Sequence, residues 1–152
     1  MAAETLSPEA VLARLPHGEP FRFVDRILEI DAQHVVAEYE WRADADFYRG
    51  HFPQRPITPG VLLVECMAQA GLVALGIYLL AQQETAAPAP SLTVFTDASI
   101  EFGALVEPGS RVRITSHKRF FRRRALRAEV AMHLADGRLA CSGVLTGMMV
   151  PR

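Results

Sequence analysis

The sequence predicts an α+β fold in which an antiparallel sheet of about six strands wraps around one long central helix. Three observations carry that expectation. Residues 61–81 are an apolar run broken only by Glu65 and Gln69, too hydrophobic to face water on any side of a helix. Runs with strand-like alternation stand on both sides of it, separated by turn signals. The 152 residues, half of them hydrophobic and 22% charged, suit one globular domain spanning 1–152.

The elements follow in order. Within residues 1–16, Ser7 is placed to cap a short helix, Pro8 suits its first turn, Glu9 favours its dipole, and Pro16 stops it. Residues 23–30 and 34–41 read as a hairpin. In the second run Val35, Ala37, Tyr39 and Trp41 alternate with more polar neighbours, so one face is buried and one is wet. A loop rich in Pro and Gly then leads into the helix over 61–81, and residues 84–90 read as a flexible polar and Ala/Pro connection. Four strands are expected over 92–102, 111–118, 125–134 and 139–150. Their turns fall at Glu107-Pro108-Gly109 and at Asp136-Gly137, the latter a strong hairpin signal. No internal repeat is present.

Composition narrows the function classes. The formal net charge of −1 names no partner, yet Arg111, Arg113, Lys118, Arg119, Arg122, Arg123, Arg124 and Arg127 make half of all Lys and Arg, with no acid among them. That surface attracts something anionic. The two cysteines, Cys66 and Cys141, and a start without a basic, apolar secretory leader indicate a reducing, cytoplasmic setting. The 61–81 run is long enough to span a bilayer. A carboxylate inside it, Gly71, Gly76 and the absence of basic flanks argue instead for a core or interface helix and against a membrane span.

The chemistry concentrates between Gly50 and Gln69. Pro53, Pro56 and Pro59 stiffen the loop that carries His51, and Pro59-Gly60 stands where the helix begins. The free N–H groups at that end, from Gly60 and Val61, form a site for an oxyanion. Glu65 lies one turn further in, and Gln69 another turn along the same face, placed to orient the carboxyl group. Eliminating water beside a thioester needs a base for the α-proton, donors for the enolate charge and an acid for the departing hydroxide. His51 suits the base, Glu65 the acid, and the helix start the donors. Spacing alone leaves these roles open, since a loop histidine is commonly structural and a glutamate near a helix start commonly serves the dipole. Cys66 reads as core. His17, His34, His117 and His133 read as structural or exposed, with no pairing that suggests a metal.

The residues Leu15-Pro16-His17, Pro20-Phe21, Val24-Asp25-Arg26, Gly50-His51-Phe52-Pro53, Pro56, Pro59-Gly60-Val61, Glu65, Met67-Ala68-Gln69-Ala70 and Val106-Glu107-Pro108-Gly109 resemble the 3-hydroxyacyl-ACP dehydratases of bacterial fatty-acid synthesis, particularly the FabZ type. The resemblance covers nearly the whole chain. It implies a hot-dog fold and a catalytic pair, His51 and Glu65. It further implies polarisation of the thioester carbonyl by the Gly60 N–H, and no metal or organic cofactor beyond the phosphopantetheine of the acyl carrier protein. The expected assembly is a homodimer, or a trimer of dimers, whose sites lie at the subunit interface and draw His and Glu from different subunits. The expected reaction is conversion of (3R)-3-hydroxyacyl-ACP to trans-2-enoyl-ACP. Gly18-Glu19, Glu101 and the position of Asp97 depart from the family's pattern and bear on acyl selectivity and carrier docking.

Two competing readings are a hot-dog acyl thioesterase and a non-catalytic acyl-binding subunit of a hetero-oligomer. Glu65 in place of the Asp of isomerising relatives leans against double-bond isomerisation. The run Lys118, Arg119, Phe120, Phe121, Arg122, Arg123, Arg124 is read either as a solvated turn or as a docking patch for an acidic carrier protein. No nucleic-acid motif accompanies it.

Overall fold

The computed structural model describes residues 3–83 and 91–151. The first helix, α1 (Pro8–Arg14), begins as expected, with the Ser7 hydroxyl accepting from the Ala10 N–H at 3.1 Å. Two short strands follow, β1 (Arg26–Ile30) and β2 (His34–Glu40). Strand β1 starts later than residue 23, and Asp25 just ahead of it is bound to the far end of β2. Its carboxylate accepts from the Glu40 N–H at 2.8 Å and pairs with both terminal nitrogens of Arg42 at 2.6 and 3.0 Å. Partial burial pushes its pKa up, but these bonds outweigh that and hold the carboxyl below its ordinary value.

The central helix, α2 (Gly60–Gln83), is 24 residues long. Its middle, Gln69–Val73, is a π-helical turn between two α-helical halves. The expected connection over 84–90 lies outside the described residues. Strands β3 (Ser91–Phe102), β4 (Arg111–Arg122), β5 (Ala125–Leu134) and β6 (Leu139–Pro151) complete a six-stranded sheet of order β1-β2-β4-β5-β6-β3. Every pairing in it is antiparallel.

By length and composition α2 is able to cross a membrane, yet it is the core of this molecule. Met67, Leu72 and Leu75 are fully buried against Ile114, Leu126, Met132 and Leu145 of the sheet. Each such side chain contributes about 1.5–3 kcal/mol through removal from water. At the π-helical turn helix and sheet approach closely: a Cβ on Gly71 would lie 3.0 Å from side-chain atoms of Ser116 and Val130. The buried Ser116 hydroxyl donates to the Gly71 carbonyl at 3.0 Å, supplying a partner inside the widened turn.

One correction concerns the basic run. The strand expected over 111–118 continues to Arg122, with an irregular step between Lys118 and Phe120, and the reversal is confined to Arg123 and Arg124 at φ 51° and 63°. The edge is the other feature that matters for function. Among the described residues strand β3 pairs only with β6, and along its twelve residues Leu92, Val94, Phe95 and Phe102 are exposed.

Candidate active site

His51 sits between a short 3₁₀ turn, Asp46–Arg49, and the start of α2. Backbone bonds close the loop around it: the His51 N–H donates to the Phe47 carbonyl, and the Ile57 N–H to the His51 carbonyl, both at 3.0 Å. The loop is tied down at its far end. Buried Thr58 donates its N–H to the Val106 carbonyl at 2.9 Å and shares a 2.6 Å hydrogen bond with the Tyr48 hydroxyl. Arg55 forks onto Glu107 with two 2.8 Å bonds. The His51 ring stacks on Phe52 at 4.2 Å, and its Nδ1 lies 3.0 Å from the Ile57 carbonyl. A carbonyl only accepts, so Nδ1 carries a proton, and in the neutral ring the lone pair is on Nε2.

The first turn of α2 offers the expected donors. The Leu62 and Leu63 N–H groups are used by the Pro59 carbonyl, whereas no hydrogen bond from the Gly60 or Val61 N–H occurs among the described residues. Val61 is 77% exposed, and the Phe102 ring of β3 lies over Gly60, 3.1 Å from where a Cβ would stand. Glycine is therefore what lets an aromatic ring approach the helix end.

Glu65 faces the other way, toward the segment linking α1 to β1. Its Oε2 accepts from the Gln69 amide at 2.9 Å, so the orienting contact expected from the four-residue spacing is present. Gln69 is completely buried and every polar group of its side chain is used: Oε1 accepts from the Phe23 N–H at 2.7 Å, and Nε2 also donates to the Phe21 carbonyl at 2.9 Å. His17, read from sequence as structural or exposed, has its Nε2 3.8 Å from the same Glu65 oxygen. The two side chains line a cavity of about 60 Å³ together with Ala68, Leu72, Val73 and residues Thr93, Val94 and Phe95 of the edge strand. The signal available for His17 was its place inside the Leu15-Pro16-His17 motif.

Within the chain, then, Glu65, Gln69 and His17 come together, and Gly60 and Val61 share one helix end. Among the described residues His51 makes no hydrogen bond or ion pair with any of the first three; its ring is held by Phe52 and Ile57. Lys118, Arg119, Arg122, Arg123 and Arg124 lie apart from both groups, at the β4–β5 end. Arg119 is neutralised across the strands by Glu129 at 2.9 Å, and Arg122 stacks over Phe120 at 4.7 Å. Among the described residues Lys118, Arg122, Arg123 and Arg124 have no acidic partner within ion-pair distance. Through the register Arg122 to Ala125 to Met148 to Val94, the patch stands three strand spacings, about 14 Å, from the cavity beside Glu65.

A family model described as a FabA-like domain matches residues 15–145. The chain belongs to the FabA-like family. The 3-hydroxyacyl-acyl-carrier-protein dehydratase FabZ of Streptococcus pyogenes serotype M3 is 37% identical over 139 residues, covering 90% of this chain and 93% of that protein. The enzyme of the same name from Streptococcus pyogenes serotype M5 is 36% identical over 138 residues, with the same coverage. Among solved structures, the dehydratase heterocomplex ApeI:P from Xenorhabdus doucetiae superposes with a TM-score of 0.75 over 97% of this chain and 93% of that one, at 18% identity. A hypothetical thioesterase with coenzyme A from Streptococcus pneumoniae has a TM-score of 0.56 over 83% and 85%, at 14% identity. These two establish the hot-dog fold alone.

The positions that depart from the resemblance noted in the sequence lie at the periphery of this chain. A side chain on Gly18 would meet nothing within 4 Å, and Glu101 is exposed on β3. Asp97 lies 3.9 Å from Arg127. Among the described residues no group of three or more His, Cys, Asp or Glu side chains is arranged to hold a metal ion.

Proposed function

We propose that this protein dehydrates (3R)-3-hydroxyacyl chains carried on acyl carrier protein to the trans-2-enoyl thioester, in fatty-acid or related acyl-chain biosynthesis in the cytoplasm. The observation that carries the reading is the His51 Nδ1 bond to the Ile57 carbonyl, which leaves Nε2 outside that bond, in a chain 37% identical over 139 residues to a FabZ dehydratase. In the step proposed, Nε2 takes the proton from carbon 2 while the Gly60 and Val61 N–H groups hold the thioester oxygen. The electron pair of that C–H bond forms the double bond to carbon 3. The C3–O bond breaks, and the hydroxyl leaves as water with the proton of Glu65. The two residues exchange proton states through solvent before the next turnover, and no cofactor enters the balance beyond the phosphopantetheine that carries the acyl group.

His51 and Glu65 share no hydrogen bond or ion pair among the described residues, so the complete site is assigned to a homodimer in which each site takes one residue from each subunit. The unpaired apolar edge of β3 supports this reading, because such an edge is a ready template for a second strand. A trimer of dimers is the expected higher assembly. Lys118, Arg119, Arg122, Arg123 and Arg124 are assigned to steering the acidic carrier toward the site.

The test is conversion of a (3R)-3-hydroxyacyl thioester by the purified protein beside H51A and E65Q. Loss of at least about 100-fold in both variants is expected, the scale that general acid–base groups supply. Wild-type turnover in either variant, or release of free thiol in place of the enoyl product, would overturn the assignment; thiol release would make the protein a thioesterase.

A further inference from the structure

We propose that His17 is a positioning residue for Glu65: its Nε2–H and the Gln69 amide address the same carboxyl oxygen, Oε2, and so hold the transferable proton on Oε1. This rests on the reading of Glu65 as the acid. The orientation of the Gln69 amide is not ambiguous, because its oxygen accepts from the Phe23 N–H, which leaves the nitrogen to donate to Oε2 at 2.9 Å. The same amide donates to the Phe21 carbonyl, and the Cys66 thiol lies 3.2 Å from the Phe23 carbonyl. The segment that bears His17 is thereby clamped onto the helix that bears Glu65. A further bond, from Arg22 to the Leu12 carbonyl at 2.8 Å, fixes its other side.

The tautomer follows from the ring's surroundings. His17 Nδ1 is buried and has no hydrogen-bond partner among the described residues, while Nε2 stands 3.8 Å from Glu65 Oε2. An orphaned N–H is rarer in protein interiors than an under-used acceptor, so the proton belongs on Nε2, where a small ring rotation makes the bond. Charge follows as well. Burial pushes the His17 pKa down, with Arg22 acting in the same direction and Glu65 opposing. A neutral imidazole offers a donor without the full positive charge that would trap Glu65 as a carboxylate unable to give a proton. With two donors on Oε2, that atom becomes the carbonyl oxygen of the acid and Oε1 the hydroxyl.

The experiment compares H17L, H17Q and H17N with the wild type in dehydration of a 3-hydroxyacyl thioester, with E65Q alongside. Gln places an N–H near the position of Nε2, Asn places one near Nδ1, and Leu places none. The expected result is a fall in kcat of about 10-fold in H17L and H17N, a fraction of what a positioned acid contributes. KM should change by less than about 3-fold, and H17Q should stay within about 3-fold of wild type. The alkaline limb of kcat should move to higher pH in H17L, since losing a donor disfavours the carboxylate. A merely structural histidine would be no better replaced by Gln than by Asn and would leave that limb in place. Either of those results, or wild-type kcat in H17L, overturns the proposal; the Gln–Asn comparison decides it even where the Leu variant fails to fold. Wild-type activity in E65Q instead removes the reading beneath it, so the two failures are distinguishable.

Discussion

Four side chains at the site, Glu65, Gln69, His51 and His17, are placed by backbone groups or by one another, and that explains which could be read from sequence. Glu65 and Gln69 were legible together because four residues on a helix bring two side chains to one face. His51 was legible as a loop histidine, but its tautomer depends on the Ile57 carbonyl, which only the closed loop places at 3.0 Å. His17 was not legible as a partner of Glu65: they are far apart along the chain, and what joins them is the clamp of Gln69 on Phe21 and Phe23. His34 shows the opposite electrostatics to His17. Its ring lies 3.1 Å from Glu29 and 2.9 Å from Asp31 and stacks on His117 at 6.0 Å, and the two carboxylates hold its pKa above 6.5. A raised pKa stabilises the fold fully below the unfolded value and loses that contribution as pH rises through the folded one. The carboxylates are exposed, so screening keeps the effect under about 1 kcal/mol. Replacing His34 with Gln should therefore lower Tm more at pH 6 than at pH 8.5, and equal shifts at both would remove the pairs as a source of stability.

At the scale of elements, the strands and the central helix were legible because period and hydrophobicity agreed, and β5 (Ala125–Leu134) fell at its expected bounds. The π-helical turn was not, since its anchor is a serine on a strand distant in sequence, Ser116 on Gly71. The extra length of β4 was hidden by its own composition. Consecutive arginines read as a turn, but the ladder to β5 continues to Arg122, helped by the cross-strand partner Glu129 and by the stacking of Arg122 and Arg127 on Phe120. The reversal itself is costly. Two successive left-handed residues suit Asn-Gly, and arginine carries a steric penalty of roughly 1–2 kcal/mol at each. The double change R123N and R124G should raise stability by about 1–2 kcal/mol in urea unfolding while weakening turnover of carrier-bound substrate and sparing that of a small thioester. Equal activity on both substrates would remove these arginines from docking.

At the scale of the molecule, one long helix held inside a six-stranded sheet leaves two surfaces unfinished: the face of His17 and Glu65, and the edge of β3 beside it. They share Thr93, Val94 and Phe95, so under the proposed two-subunit reading pairing of the edge and completion of the site would be one event. Lysine at both Val94 and Phe95 should yield a monomer in sedimentation and abolish dehydration, with the fold retained by circular dichroism. An active monomer would sink the two-subunit site.

Cys66 turns the clamp on the central helix into something that can be timed. Its thiol is fully buried, burial pushes its pKa well up, and it lies against the Phe23 carbonyl beneath the same segment that presses His17 toward Glu65. A thiol reagent is expected to reach it when that segment lifts, whereas Cys141, buried in β6 and pushed up to about 12, is expected to need opening of the sheet. The ratio of the two labelling rates is a clock for local detachment of the His17 segment against unfolding of the sheet. Substrate that seals the cavity slows the first hand without touching the second.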